Sequence, residues 1–345
     1  MRVWTGAAYA PTTASTRLRL DPFSEVLRSR NVDVCHWTFL SAESSSDWAA
    51  GGKKRISPAI GGFARMNAAK QNTSHLDVAV IQRECVPFNT LFLEKRLALK
   101  APFIWDIDDS LWSNGVSVSS FIRGGARKYE YLLANAAEVW AGNQVIADWC
   151  VSMSDTPVFL VPTTSPIPTA PAQPALPRRL AWVGTPSTGP FIEKLLAELQ
   201  FDLGDWIVDI VGANIQVPAG LNVVLHSWSQ ETEEKVLSRA WAGLYPIDLS
   251  HPLALGKSAL KAVLFGGYGL PTIATRTTSN ADVILDGLTG RLVGNKAGWK
   301  NALAEISVIN IRDEWGSLAR KRMIDLYNPE KWAEFQVERI MNYKR

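Results

Sequence analysis

The chain has few of the residues that mark several common protein classes. Its three cysteines, Cys35, Cys85 and Cys150, are scattered, odd in number and form no CxxC pair. That argues against a disulfide framework and for a reducing, cytoplasmic setting. No apolar run approaches the roughly 20 residues that a membrane-spanning helix needs. The opening MRVWTGAAYA has no basic region leading into a long apolar stretch, so no secretory leader is expected. The net charge is only +3, and no dense basic stripe with interleaved aromatics occurs, so no nucleic-acid partner is expected.

What is present fits a globular chain: 47% hydrophobic and 20% charged residues over 345 positions. That length exceeds one ordinary core and suits two domains. The 14 tryptophans are many, and most are expected to be ordinary core or surface residues. One basic cluster, Gly51-Gly52-Lys53-Lys54-Arg55, reads as a solvated loop. Its sharper reading is a contact with an anionic membrane surface or a phosphorylated acceptor.

Strand-like and helix-like segments alternate along the first half. MRVWTGA, VDVCHWTFL, LDVAVIQRE, APFIWDIDD, AEVWAGN and TPVFLVP read as strands. Between them, DPFSEVLRSR (beginning near Asp21-Pro22), FNTLFLEKRLALK, ARKYEYLLANA and VIADWCVSM read as helices. The Pro- and Thr-rich TTSPIPTAPAQPALPRR then reads as a linker or long surface loop. The second half restarts the rhythm with RRLAWVGT, DWIVDIVGA, LNVVLHSW, WAGLYPI and LPTIAT as strands. FIEKLLAELQ and SQETEEKVLSRA are helical, the second with a cap at Ser229 and Thr232. A helical tail, NPEKWAEFQVERIMNYKR, ends the chain. Such alternation predicts an α/β protein with two doubly wound parallel sheets, Rossmann-like, facing a cleft. Ligands then belong beyond the carboxyl ends of the strands.

Five segments at such ends could carry chemistry. Gly256-Lys257-Ser258 looks like the close of a phosphate-binding P-loop, but the glycine required five positions earlier is His251. What remains is a helix starting near Gly256 or Lys257, with Lys257 and Lys261 four apart on one face near its positive end. The plainer reading is two solvated lysines on an amphipathic helix. Gly184, Thr185 and Ser187, in WVGTPST, end another strand and could cradle a diphosphate. In WDIDDSLW, Asp106 and Asp108 share one face of an extended chain and Asp109 points away. Such clustered acids suit Mg²⁺ or a general base, and Asp109 alternatively caps a helix. Arg83 and Glu84 end a further strand, as an ion pair or as ligands for a polar substrate. His226, Ser227 and Trp228 could meet a nucleobase, although a lone histidine is more often structural.

Taken in order, QRE, WDIDDSLW, AWVGTPST, AGLYPI…GKSALKAVLFGGYGLPTIAT and ADVILDGLTGRLV resemble group 1 (family 4) glycosyltransferases of the GT-B fold, bacterial polysaccharide type. The resemblance implies an acceptor-binding domain over 1–165, a nucleotide-sugar-binding domain over 166–327, and a final helix over 328–345 packing back on the first. It implies transfer of a hexose or deoxyhexose from a nucleotide-diphosphate sugar to a glycan or lipid-linked oligosaccharide, with retention and without an obligatory metal or other cofactor. Location would be cytoplasmic, extending to peripheral contact at the inner membrane face. Lys257, Ser258, Lys261 and the 184–187 turn would hold the diphosphate, His226–Trp228 the base, and Asn280 and Asp282 the sugar or phosphates. Asp106 or Asp108 would position or deprotonate the acceptor hydroxyl, with Arg83, Glu84 and Asp109 on the acceptor side. One departure stands out. Two glutamates that the family commonly carries fall at positions held here by Gly256 and Leu264. That motivates a second reading, a non-catalytic glycan-binding or partner subunit of this fold. A nucleotide-sugar epimerase is a third.

Overall fold

The computed structural model describes residues 1–45, 56–69, 75–113, 125–200, 202–250, 254 and 256–344. The basic cluster at 51–55 and His251 lie outside the described residues. The chain forms two compact units. The first comprises Met1–Thr164, Gly256–Ser258 and Pro329–Arg345, and the second comprises Ser165–Leu255 and Ala259–Asn328.

The first unit is built on strands β1 (Arg2–Ala7), β2 (Asp33–Thr38), β3 (Val78–Gln82), β4 (Phe103–Ile107), β5 (Glu138–Ala141) and β6 (Val158–Leu160). They lie in the order β2-β1-β3-β4-β5-β6, all parallel. Helices cover both faces, so the strands are apolar on both sides. Trp4, Ala79, Trp105 and Val139 face one core, and Val3, Val78, Val80 and Ile104 face the other. The helix Pro329–Met341 completes that second core with Ala333, Val337 and Ile340 against Leu20, Phe23 and Leu27.

The helix expected from Asp21 starts seven residues earlier, at Ala14, and carries Pro22 inside it. Residues 12–16, TTAST, lead into and begin that helix: Thr13 is the extended residue before it, and its hydroxyl donates to Ala10 O at 2.9 Å. Thr16 Oγ1 donates to Tyr9 O at 3.1 Å. The buried face runs Thr16, Arg19, Leu20, Phe23, Ser24 and Leu27, a 3–4 spacing that extends the helix past the proline.

The second unit holds β7 (Arg179–Val183), β8 (Ile207–Val211), β9 (Asn222–His226), β10 (Ala242–Tyr245), β11 (Thr272–Thr275) and β12 (Gly290–Val293). Their order, β9-β8-β7-β10-β11-β12, is the 3-2-1-4-5-6 arrangement of dinucleotide-binding folds, and every pairing is parallel. The chain winds one way from β7 to β9 and the other way from β10 to β12. The switch point therefore lies between β7 and β10. No helix among the described residues is long and apolar enough to cross a membrane.

The helix expected from Gly256 or Lys257 begins at Leu260 and ends at Gly267. The backbone of 256–258 is bonded elsewhere in the first unit: Gly256 O accepts from Ser110 N at 3.2 Å and from Asn143 Nδ2 at 3.3 Å. Ser258 N donates to Asp109 Oδ1 at 3.1 Å. Groups engaged in this way cannot also close the first turn of a helix. Lys257 thus precedes the helix and does not share a helical face with Lys261.

Each unit opens its sheet with the same device. Trp4-x-Gly6 in β1 and Trp182-x-Gly184 at the end of β7 both place the indole across the glycine, where any Cβ would overlap the ring. Neither indole N–H finds a hydrogen-bond partner among the described residues.

Candidate functional site

In the first unit, the carboxyl ends of β3 and β4 converge on a buried ionic network. Asp106, at the end of β4, is fully enclosed and receives Arg19 Nε on both oxygens, at 3.0 and 2.8 Å, as well as Arg19 Nη2. Arg19 also donates to Val161 O at 2.9 Å and Thr163 Oγ1 at 3.1 Å. Burial pushes the Asp106 carboxyl up, against the pull of the Arg19 guanidinium. Asp108 is nearly as buried but pairs with a different arginine. Arg83 Nε lies 2.5 Å from its Oδ1 and Nη2 lies 3.0 Å from Oδ2, while Gln82 Nε2 donates at 3.2 Å. Burial raises the Asp108 carboxyl, but the Arg83 charge and hydrogen bonds outweigh it and hold the group below the usual carboxylate range. Arg83 also reaches Asp109. Gly142 presses on this turn: a Cβ there would sit 2.8 Å from Asp108 Cα.

Arg83 adopts φ +59°, a left-handed backbone that a side-chain-bearing residue seldom occupies. Two bonds keep it there, Arg83 N to Asp106 O at 2.7 Å and Trp105 Nε1 to Arg83 O at 2.8 Å. The kink divides Arg83 from its neighbour. Glu84 turns into the core and meets Lys128 Nζ at 2.8 Å and Tyr129 OH at 3.3 Å. Arg83 and Glu84 therefore make separate ion pairs, not one with each other.

In the second unit, the loop after β7 and the helix after β10 flank the switch point. Thr185, Pro186 and Ser187 are exposed, and the hydroxyls of Thr185 and Ser187 lie 2.9 Å apart. Amides that would open the next helix, Gly189–Glu198, are used within the turn: Thr188 N and Gly189 N both donate to Thr185 O, at 2.9 and 3.1 Å. An anion here would be met by hydroxyls more than by helix amides. Lys261, in the first turn of Leu260–Gly267, holds its ammonium 4.4 Å from the centre of the Trp182 ring and 5.2 Å from that of Tyr245. Gly212, with φ +88°, ends β8 so close to this loop that a Cβ would overlap Gly184 O.

His226 and Trp228 also end a strand here. His226 Nε2 bonds Asp209 Oδ1 at 2.8 Å, and Arg179 grips the same buried carboxylate at 2.6 and 2.7 Å. Burial pushes Asp209 up, but hydrogen bonds from Arg179 and His226 bring it below the usual range. Ser227 is exposed, and Trp228 is 43% exposed with its Nε1 donating to Glu233 at 2.9 Å. Asn280 is fully buried, its Nδ2 donating to Thr275 O at 2.8 Å while its Oδ1 has no partner among the described residues. Asp282 is exposed, and its backbone carbonyl accepts from Arg322 at 2.7 Å and from Tyr327 OH at 3.1 Å. Leu264 is half-buried against an apolar cluster that includes Phe265 and Tyr268.

The sequence therefore marked the strand ends but not what organises them. Arg19, Gln82, Trp182 and the Arg179–Asp209 pair were not foreseen. Only the repeated Trp-x-Gly carried a readable signal.

No family model matches the chain, and no curated protein matches it in sequence. Solved structures do share its fold. Sucrose-phosphate synthase from Thermosynechococcus elongatus superposes with a TM-score of 0.73 over 99% of this chain and 98% of that one, at 14% identity. HepE of Anabaena, in complex with UDP and glucose, gives 0.67 over 99% of each chain at 12% identity. TarM gives 0.61 over 81% of this chain at 15% identity, and only 58% of TarM is covered, so this chain spans less than two thirds of that protein. These likenesses show the fold: two Rossmann-like parallel sheets in the manner of GT-B glycosyltransferases.

Proposed function

We propose that the chain is a glycosyltransferase moving a sugar from a nucleotide-diphosphate sugar to a glycan or lipid-linked acceptor. The second unit would hold the donor and the first the acceptor. The observation that carries this reading is the convergence at the switch point of the second sheet. There the Gly184–Ser187 loop follows β7 and the helix bearing Lys261 follows β10, the two strands either side of the point at which doubly wound folds bind nucleotides. A departing nucleoside diphosphate gains negative charge at the transition state, and an ammonium from the element after β10 with hydroxyls from the loop after β7 suits that charge. Trp228 offers an exposed ring for the base. Asn280 and Asp282 enter the proposal as sugar contacts, whereas Lys257 and Ser258 belong to the first unit and are not counted in the donor site of the second. Retention, independence from metal and a hexosyl or deoxyhexosyl donor belong to the same proposal.

On the acceptor side we assign the leading role to Asp108, with Asp109 and Arg83 beside it. Asp106 and Asp108 both have their oxygens bonded and are almost sealed from solvent; what separates them is the partner, since Arg19 is itself enclosed whereas Arg83 keeps 17% exposure and also reaches Asp109. Asp108, held below the ordinary range, is a weak base at neutral pH, so it would orient the incoming hydroxyl more than deprotonate it. A lipid-linked acceptor draws support from the helix Ile56–Ala69. Its solvent side carries Ile56, Ile60 and Phe63, 60%, 68% and 41% exposed and spaced four and three apart, and Lys53-Lys54-Arg55 precede it in sequence. The apolar setting of Leu264, where the family's ribose-binding glutamate would stand, favours the second reading, a non-catalytic binding subunit.

Thermal-shift and calorimetric titration with UDP-, GDP-, dTDP- and ADP-sugars tests the first reading. At least one donor should raise the melting temperature, and hydrolysis or transfer should release its diphosphate. No binding of any donor would sink the first reading and favour the non-catalytic subunit, whereas binding with turnover would sink the second.

A further inference from the structure

The most unusual feature of the second unit is where its helix-borne lysine rests. The ammonium of Lys261 lies over the face of Trp182 at 4.4 Å, with Tyr245 at 5.2 Å. Trp182 is fully buried on β7 and Tyr245 ends β10 at 2% exposure. These are the two strands that flank the switch point. The same indole underlies the Gly184 turn, because the missing Cβ of Gly184 is what lets the ring extend beneath it. One side chain thus touches both halves of the candidate anion site. The first unit supplies a control within the same molecule. Trp4 repeats the arrangement with Gly6, but its ring stacks on Trp37 at 5.9 Å and 22°.

We propose that Trp182 is a positioning residue for diphosphate binding: its ring, with that of Tyr245, holds the Lys261 ammonium at the mouth of the Gly184–Ser187 turn. The inference rests on the reading that this unit binds a nucleoside diphosphate. An aromatic face attracts a cation through its quadrupole and has no net charge of its own, so it fixes an ammonium without neutralising it. A carboxylate in the same place would position the lysine equally well but would compete with the phosphates. Burial of the rings strengthens the attraction, since water does not screen the face that meets the cation. The freedom of a long lysine stem is then lost on folding and not on ligand binding, which favours affinity.

The test is a double-mutant cycle read by calorimetry with UDP, GDP, dTDP and ADP, each compared with its nucleoside. Trp182→Leu should weaken diphosphate binding by roughly three- to thirty-fold, the span expected of a cation–π contact, and leave nucleoside binding nearly unchanged. Trp182→Phe, which keeps a ring, should lie between Trp182→Leu and the parent. In a Lys261→Ala background, Trp182→Leu should have little further effect, because the tryptophan acts through the lysine. Equal weakening of diphosphate and nucleoside, or additive losses in the cycle, would overturn the proposal and make Trp182 only a core residue. If Trp182→Leu does not fold, Tyr245→Leu carries the same cycle, with a smaller loss expected at the longer distance. If the parent protein binds none of the four diphosphates, the underlying reading fails first, and this inference falls with it.

Discussion

Arg19 and Asp106 form a two-pronged ion pair with both side chains sealed from solvent, 87 positions apart in the chain. The pair ties the first helix of the first unit to the end of β4, and through Val161 and Thr163 to the segment after β6. Removing one partner of such a pair strands the other charge in the interior. Asp106→Asn should therefore cost about 3 kcal/mol of stability or more, visible as a lower urea midpoint at unchanged slope. Replacing both partners, Arg19→Met with Asp106→Leu, should recover most of the loss. A single variant as stable as the parent would refute a structural role.

Asp108 is expected to behave differently. Asp108→Asn keeps the shape and the contact with Gln82 but weakens the hold on Arg83, whose left-handed backbone depends on its neighbours. Donor binding should stay within two-fold, while transfer to acceptor falls by about two orders of magnitude, the span typical of a lost positioning or acid–base group. Full transfer activity in this variant would remove Asp108 from the site.

The pH dependence of stability follows from Asp209. Its carboxyl is held below the ordinary aspartate value, about 4, by Arg179 and His226. A group with a lowered folded value binds its proton more readily when unfolded. Its stabilisation is present above pH of about 4 and is lost as pH falls through the lower folded value. Melting temperatures followed from pH 7 to pH 3 should drop steeply at the acid end. Asp209→Asn should start lower at neutral pH and fall less steeply. Identical acid limbs would contradict the assignment.

Gly212→Ala should be disruptive out of proportion to one methyl group. Its φ of +88° costs an alanine roughly 1–2 kcal/mol, and the added Cβ would overlap Gly184 O. The carboxyl ends of β7 and β8 would have to separate, so diphosphate affinity and stability should fall together. Gly220→Ala is the control, with φ +81° but open space around it, and should lose stability alone.

The exposed stripe of Ile56–Ala69 gives a separable prediction. Ile56→Ser with Ile60→Ser should reduce cosedimentation with vesicles containing anionic lipid several-fold and leave the melting temperature nearly unchanged, since both side chains face solvent. Unaltered binding, or no binding by the parent, would dismiss the membrane contact.

Much of the architecture was legible in the residues. Near-continuous apolar runs such as VAVIQ and IVDIV mark strands buried on both faces, and their alternation with amphipathic helices marks parallel winding. Segment ends were less legible. The helix that starts at Ala14 was hidden because threonines favour loops and caps alike, and Pro22 suggested a start instead of an interior position. Local spacing favours a lysine-bearing first turn near Gly256, yet the helix starts at Leu260. The actual hydrogen bonds of 256–258 go to Ser110, Asp109 and Asn143, more than a hundred positions away.

The sequence by itself determined the class of fold and the strand ends at which chemistry could gather, because strand and helix periodicity are local properties of neighbouring residues. Only the tertiary structure decided the pairings. Asp106 belongs to Arg19, Asp108 to Arg83, His226 to Asp209, and Lys261 to the rings of Trp182 and Tyr245. Those partners lie on different elements, so their charge, burial and reach are set by how the sheets bring distant residues together, which spacing along the chain does not encode.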